Sequence, residues 1–443
     1  MNPAGDKQAT GSSRLTAGLA PTLLAAGLLA LANLASASDM SPGERISQVR
    51  SMVEAGQFSR AIQVLDRAGK DDSLDAETRR ALAFQRERMR RMRMDFSLTG
   101  AELKQQIRKQ IPDLGEAEFD HWNAQGLFEH MVIDGQLRYF NRAPGNLFRL
   151  SAEARARRAK PRPFSDSPLE SASDYHREVV KAAREQHADS VLPQRFRITQ
   201  TLTVDADAVP DGKTVRAWIP WPRSIPGQQE DIAYVDSEPA AHRIAPADTL
   251  QRTVYLEKTA QAGKPTVFKA SYEVTIAARY VAVDADKVSK PDITPELAPF
   301  VAERPPHVVF TEPMRVLSRQ IVGDESNPWK IAQKLFAAVD QVPWAGAREY
   351  STIGNISDYA RRVGHADCGE QTLLLITLLR MNGIPARWQS GMMFADNGYW
   401  NLHDWGQLYI APYGWMPMDV TFGRLHSDDP AIAGFYLGGL DGW

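Results

Sequence analysis

Gly364-His365-Ala366-Asp367-Cys368-Gly369-Glu370-Gln371 runs without a break into Thr372-Leu373-Leu374-Leu375-Ile376-Thr377-Leu378-Leu379-Arg380-Met381. The second half is apolar on almost every face, and a helix with no polar stripe is one buried on all sides. Asn382-Gly383, with Pro385 two residues further on, stops it. The stretch therefore reads as the central helix of an α+β domain, with Cys368 at or just before its N-terminus. Free backbone N–H groups and the positive end of the helix dipole favour a thiolate at such a position. The same N–H groups can receive an oxyanion.

Strand patterns follow the helix. Residues 384–391 read as one strand, Asn397-Gly398 as a turn, residues 403–410 as a second strand, 411–414 as a turn, and 415–420 as a third strand. His403 and Asp419 then lie on adjacent antiparallel strands. A one-residue slip moves a side chain to the other face of a sheet. A hairpin loop with an odd number of residues puts His403 and Asp419 on one face, and an even loop separates them. A thiol, an imidazole and a carboxylate are the groups that acyl transfer requires. The thiolate attacks a carbonyl, the imidazole moves the proton, and the carboxylate fixes the imidazole tautomer. Cys368, His403 and Asp419 are the candidates. Asp404 and Asp367 are alternative carboxylates, although in a strand Asp404 points away from His403. His365 and His426 are alternative bases.

These motifs together resemble the transglutaminase-like superfamily, whose core belongs to the papain-like cysteine enzymes. The resemblance rests on Cys368-Gly369 and the Leu-rich helix, on residues 379–387 with Gly391 beyond them, on His403 with Trp405, and on Gly414-Trp415-Met416-Pro417-Met418-Asp419-Val420-Thr421. It implies Cys368 as nucleophile, His403 as base and Asp419 as the orienting carboxylate. Trp344, Trp388, Trp400 and Trp405 are candidates to line an acyl-donor groove, and Tyr350 to assist the oxyanion site. Three functions are open: a cysteine hydrolase of peptide or isopeptide amides, an amine-accepting transglutaminase, and a non-catalytic scaffold. Hydrolysis is the expectation, on a peptide or protein substrate that includes cell-wall peptides among its candidates.

Composition narrows the setting. The 443 residues are enough for several domains. The 52 Lys+Arg nearly balance the 54 Asp+Glu, so no overall field draws the chain to nucleic acid, and none is expected as a partner. Residues 1–37 read as an export signal: Lys7 and Arg14, an apolar run, then Ala35-Ser36-Ala37. The alternative is an uncleaved anchor. The expected location is periplasmic or secreted, and an exported chain normally pairs its cysteines. This one has a single cysteine, so Cys368 needs another explanation. No cofactor is expected. A metal on Cys368, His365 and Asp367 lacks the usual ligand spacing.

The expected architecture is multidomain. A helical module (38–95) contains Ala55-Gly56-Gln57-Phe58, similar to a tetratricopeptide helix pair but without a second copy, and an arginine-rich face from Arg86 to Arg93. Two helices and an Asp134-Gly135 hairpin suggest a winged-helix-like module over 96–150. Residues 151–190, rich in Ala, Arg, Ser, Pro and Glu, read as a linker with a helical portion. Period-two patterns over 191–285 suggest a β-sandwich without a chemical motif. The catalytic domain is expected over 286–443, with Asn327-Pro328 starting one of its helices.

Overall fold

The computed structural model describes residues 41–160, 170–394 and 400–442. The expected export signal and the Asn397-Gly398 turn lie outside the described residues. The described residues divide into two compact units, one of residues 41–89 with 133–135, the other of the described residues from 90 to 132 and from 136 to 442.

In the first unit, helices α1 (Pro42–Glu54) and α2 (Phe58–Ala68) pack together. A Ser41–Glu44 capping box opens α1, and Val49, Val53, Phe58, Ala61 and Leu65 are buried. Helix α3 (Ala76–Asp95) follows. In the second unit come α4 (Gly100–Arg108) and α5 (Glu116–Ala124). Strands β1 (His130–Ile133) and β2 (Gln136–Tyr139) form a hairpin, with positive φ at both Asp134 and Gly135 as a type I′ turn requires. Helices α6 (Ala143–Leu150) and α7 (Ala152–Ala156) complete this region.

The stretch read as a linker does more than connect. After the short β3 (Glu170–Ser171), helix α8 (Asp174–Gln186) buries Val179, Val180, Ala182 and Ala183 in the same core as Leu374, Leu375 and Phe435. Its apolar stripe is short and flanked by polar, low-complexity sequence, so composition masks it.

Two sheets then face each other. In the first, β4 (Ser190–Val204) pairs along β9 (Thr266–Tyr280), and β6 (Gln229–Glu238) pairs with β9 as well. In the second, β8 (Thr253–Thr259) lies between β5 (Thr214–Pro220) and β7 (Arg243–Ile244). Ile198, Phe268, Ala270 and Val274 from one sheet meet Val215, Ala217, Ile219, Val254 and Leu256 from the other. Alternation along each strand supplies this apolar interior.

The C-terminal core begins with α9 (Glu312–Val322) and α10 (Pro328–Asp340), the latter capped by Asn327. Helix α11 (Ile356–Val363) leads to α12 (Cys368–Met381), which packs on α9, α10, α11 and two strands of an antiparallel sheet. That sheet is β10 (Ala386–Phe394), β11 (Trp400–Ile410) and β12 (Gly414–Met418). The third strand ends one residue before Asp419, whose N–H turns instead to the carbonyl of Tyr436. After β13 (Leu425–His426) and the short α13 (Pro430–Ala433), β14 (Gly439–Leu440) pairs with Arg279 and Tyr280 of β9. The fold is α+β. Among the described residues no helix is long and apolar enough to cross a membrane.

Candidate active site

Cys368 is the first residue of α12, and the turn before it is locked. Asp367 Oδ1 accepts the N–H of Glu370 at 3.0 Å, and the Asp367 N–H donates to Glu370 Oε2 at 3.1 Å, a reciprocal capping box. Tyr350 Oη donates to Asp367 Oδ1 at 2.5 Å. A Cβ on Gly369 would overlap both the Tyr350 hydroxyl and the Trp388 ring, so only glycine lets these groups close on the start of the helix. Glu370 is fully buried. Burial, with the charge of Asp367 next, pushes its carboxyl up to about 9, so it is protonated at neutral pH.

The β11–β12 hairpin pairs Ile410 with Gly414 and Gly406 with Met418, leaving a three-residue loop. Odd positions therefore face odd positions, and His403 and Asp419 share a face. His403 Nε2 and Asp419 Oδ2 are 2.7 Å apart, with both side chains buried. Asp419 Oδ1 accepts the N–H groups of Thr421 and Phe422, at 3.1 and 3.4 Å, which holds the carboxylate still. Burial works against an imidazolium here. The charge and hydrogen bond of Asp419, joined by Cys368, outweigh it and raise His403 to about 10. Since Nε2 is committed to Asp419, Nδ1 is the nitrogen left to the thiol.

A second carboxylate, read in the sequence as pointing away from His403, stands beside the sulfur. Cys368 Sγ donates to Asp404 Oδ2 at 3.8 Å. Burial, and then the charge of Asp367, push Asp404 up to about 6. Strand alternation spoke only of Asp404 and His403; that the start of α12 would pack against this part of β11 is a tertiary fact. The contact of Thr372 Oγ1 with the Asp404 carbonyl, at 3.3 Å, is part of that packing.

A cavity of about 510 Å³ opens over this face, lined on one side by His403, Asp404, Trp405 and Asp419 and on the other by sandwich residues including Trp221 and Tyr272. Cys368 lies next to the cavity, against Asp404. Of the tryptophans expected to line a groove, Trp405 lines this one; its ring stacks on His403 at 6.0 Å and fills the space over Gly391. Trp388 packs behind Gly369, and Trp344 lies under the Arg149 guanidinium at 4.1 Å, so neither faces the cavity. The side chain of Trp400 lies outside the described residues. The only hydroxyl proton of Tyr350 goes to Asp367, which gives Tyr350 a part in fixing the helix cap and none to spare for an oxyanion. His365 is buried, held below its ordinary value by desolvation, and His426 is exposed; neither lines the cavity. Among the described residues no group of His, Cys, Asp and Glu is arranged to hold a metal.

A cysteine opening a buried helix, with a histidine from the sheet packed against it and an aspartate just past that sheet's third strand, is the layout of a papain-like cysteine enzyme core. Residues 315–420 match the family model of the transglutaminase-like superfamily, and this part of the chain is a transglutaminase-like core. No curated protein matches the chain. Among solved structures, a candidate cysteine protease from Cytophaga hutchinsonii is 17% identical, with a TM-score of 0.42 over 52% of this chain and 78% of that one. The periplasmic domain of TgpA from Pseudomonas aeruginosa, bound to ethylmercury, is 16% identical, with a TM-score of 0.26 over 48% and 73%. A candidate protease from Parabacteroides distasonis is 8% identical, with a TM-score of 0.20 over 52% and 67%.

Proposed function

We propose that the C-terminal core is a cysteine-dependent acyl-transfer site that hydrolyses amide bonds of peptides through a thioester. The observation that carries this reading is the buried 2.7 Å His403–Asp419 pair beside a cysteine at the start of α12. In the proposed reaction Nδ1 of His403, raised to about 10, already holds the proton of the Cys368 thiol when Sγ attacks the substrate carbonyl. Backbone N–H groups at the N-terminus of α12 receive the oxyanion. The tetrahedral intermediate collapses, the amine leaves with the proton from His403, and a thioester remains on Cys368. Water, deprotonated by the same imidazole, then releases the acid and restores the thiol. Asp419 holds the ring and balances the imidazolium. The apolar run and Ala35-Ser36-Ala37 of the first 37 residues support an exported site of action.

Capture of the acyl-enzyme tests the reading. Peptide digests incubated with the protein and quenched in acid should leave an adduct on Cys368 by intact mass and peptide mapping. Cys368→Ala should carry none, and His403→Ala and Asp419→Ala should acylate about 10²–10⁴-fold more slowly. Addition of a primary amine should not raise the rate of adduct loss; if it does and the amine appears in the product, transfer rather than hydrolysis is the reaction. No adduct under any condition removes the proposal.

A further inference from the structure

We infer that the cavity beside His403 binds a free carboxylate on the acyl substrate, through the guanidinium of Arg223 and the side-chain amide of Gln389. This rests on the acyl-transfer reading and adds to it the class of substrate.

Arg223 follows β5 in the segment Trp221-Pro222-Arg223 and lines the cavity from the sandwich side. Its Nε and Nη1 are buried and meet no acceptor. No carboxylate is paired with it among the described residues, and desolvation alone acts on it, pulling it below the ordinary arginine value. Leaving a charged donor buried and unmatched is costly, so a fold that keeps one next to a cavity has a partner for it outside the chain.

Neighbouring guanidinium groups sharpen the contrast, because each is already used. Arg252 donates from Nε to the Ala245 carbonyl and from Nη1 to that of Pro222, both at 2.9 Å. Arg387 donates to Gln407 Oε1 at 2.7 Å and lies 4.0 Å over the Trp415 ring. Arg387 is lowered first by burial and then by the charge of Arg223, so the two guanidinium groups lie within electrostatic reach of each other. Of the acids on the cavity wall, Asp419 is engaged with His403, Asp404 with the thiol, and Asp441 with the Tyr436 hydroxyl through Oδ2 at 2.6 Å, its Oδ1 lying 3.5 Å from His176 Nε2.

Gln389 supplies a second donor without an acceptor. It is 3% exposed, and its Nε2 has no partner. It pairs with Trp405 across β10 and β11, two residues from Gly391, which pairs with His403. Unmet donors from both walls of one cavity call for a ligand made of acceptors, and a carboxylate offers two oxygens in the plane a guanidinium fork fits. Peptides carry that group at a C-terminus or on an acidic side chain, and the cavity has room for a short acyl segment of this kind.

A matched pair of activated esters tests the inference: the mono-p-nitrophenyl ester of glutaric acid, which carries a carboxylate, and p-nitrophenyl butyrate, which does not. The rate of Cys368 acylation is read by nitrophenolate release and confirmed by intact mass. The unaltered protein should prefer the anionic ester by about 10- to 100-fold. In Arg223→Gln the ratio of the two rates should fall to about one, and Arg223→Lys should keep part of the preference. On the unaltered protein, free glutarate should compete saturably against the neutral ester and glutaramide should not, which tests the site even if the glutamine variant does not fold. Equal rates for the two esters with Cys368 acylated by both, or a preference that survives in Arg223→Gln, would overturn the carboxylate assignment and leave the acyl-transfer reading standing. If neither ester labels Cys368, that reading falls and takes the inference with it.

Discussion

At the scale of single residues, Asp404 is the carboxylate that lies against the sulfur of Cys368. Its carboxylate accepts from the thiol, and once ionised its charge opposes a thiolate. Asp404→Asn should therefore raise the rate of Cys368 alkylation by iodoacetamide at pH 7 by about threefold to tenfold. With Asp404 raised to about 6, the two proteins should converge near pH 5, where the wild-type carboxyl is itself neutral. A variant that alkylates no faster at pH 7 would show that the carboxylate does not govern the thiol. Gly369→Ala makes a separate prediction. Alanine normally gains about 1 kcal/mol over glycine inside a helix. Here the added Cβ meets the Tyr350 hydroxyl and the Trp388 ring, so the sign reverses, and a thermal melt should show Tm lowered by about 3 to 8 °C. Cys368, His403 and Asp419 were legible as residue types at meaningful positions: a lone cysteine before an apolar helix and two polar residues joined by a hairpin. Asp404 was legible only as an alternative carboxylate; its contact with the sulfur was not, because that depends on which helix covers the strand.

At the scale of elements, the α12 cap couples helix stability to proton binding. Asp367 and Glu370 form the box, and Glu129 and Arg348 also act on Glu370. Glu370 ionises near 4.5 when free and is raised to about 9 when folded. Between those limits the folded chain holds a proton that the unfolded chain has lost. Its contribution to stability is thus fully present below the lower limit and declines as pH rises toward the upper one. Glu370→Gln keeps an acceptor for the Asp367 N–H and cannot ionise. Its Tm relative to wild type should be higher at pH 8 than at pH 5, measured by calorimetry across that range; parallel curves would refute the coupling. The three strands and the helix were readable from period and turn chemistry. The register was readable only as a condition, that the loop be odd, because loop length depends on where pairing stops. The helical portion of residues 151–190 was readable, but the burial of α8 in the core was not, because its apolar positions are too few to outweigh the composition around them.

At the scale of the molecule, the interruption before residue 286 marks a change of sequence pattern that the core does not respect. Val179 and Val180 of α8, Val191 of β4 and Val281 after β9 are buried with Leu374, Leu375 and Phe435, and β14 pairs with β9. Each buried valine is worth roughly 1.5–3 kcal/mol, so these four alone rival the 5–15 kcal/mol by which domains are typically stable. Further upstream, Asn146 exchanges two hydrogen bonds with Gly346, Nδ2 to O at 2.9 Å and Oδ1 from N at 2.8 Å. Glu349 receives Arg91 at 2.7 Å and donates its N–H to Asp95 at 2.8 Å. These contacts hold the loop that carries Tyr350 to the cap of α12. A fragment of residues 286–443 should therefore show no cooperative thermal transition. A fragment of residues 170–443 should unfold cooperatively, because it restores the four valines and both sheets, yet acylate Cys368 more slowly than the full chain because the Tyr350 loop has lost its supports. Asn146→Ala in the full chain isolates that last effect: it strands the Gly346 N–H and carbonyl in a buried place, at a cost of about 2 kcal/mol. It should slow acylation in the same direction as the fragment while leaving the cooperative transition in place. Cooperative unfolding of 286–443 alone would mean that the core closes without the sandwich, and an unchanged acylation rate in Asn146→Ala would mean that the cap is held by α12 itself.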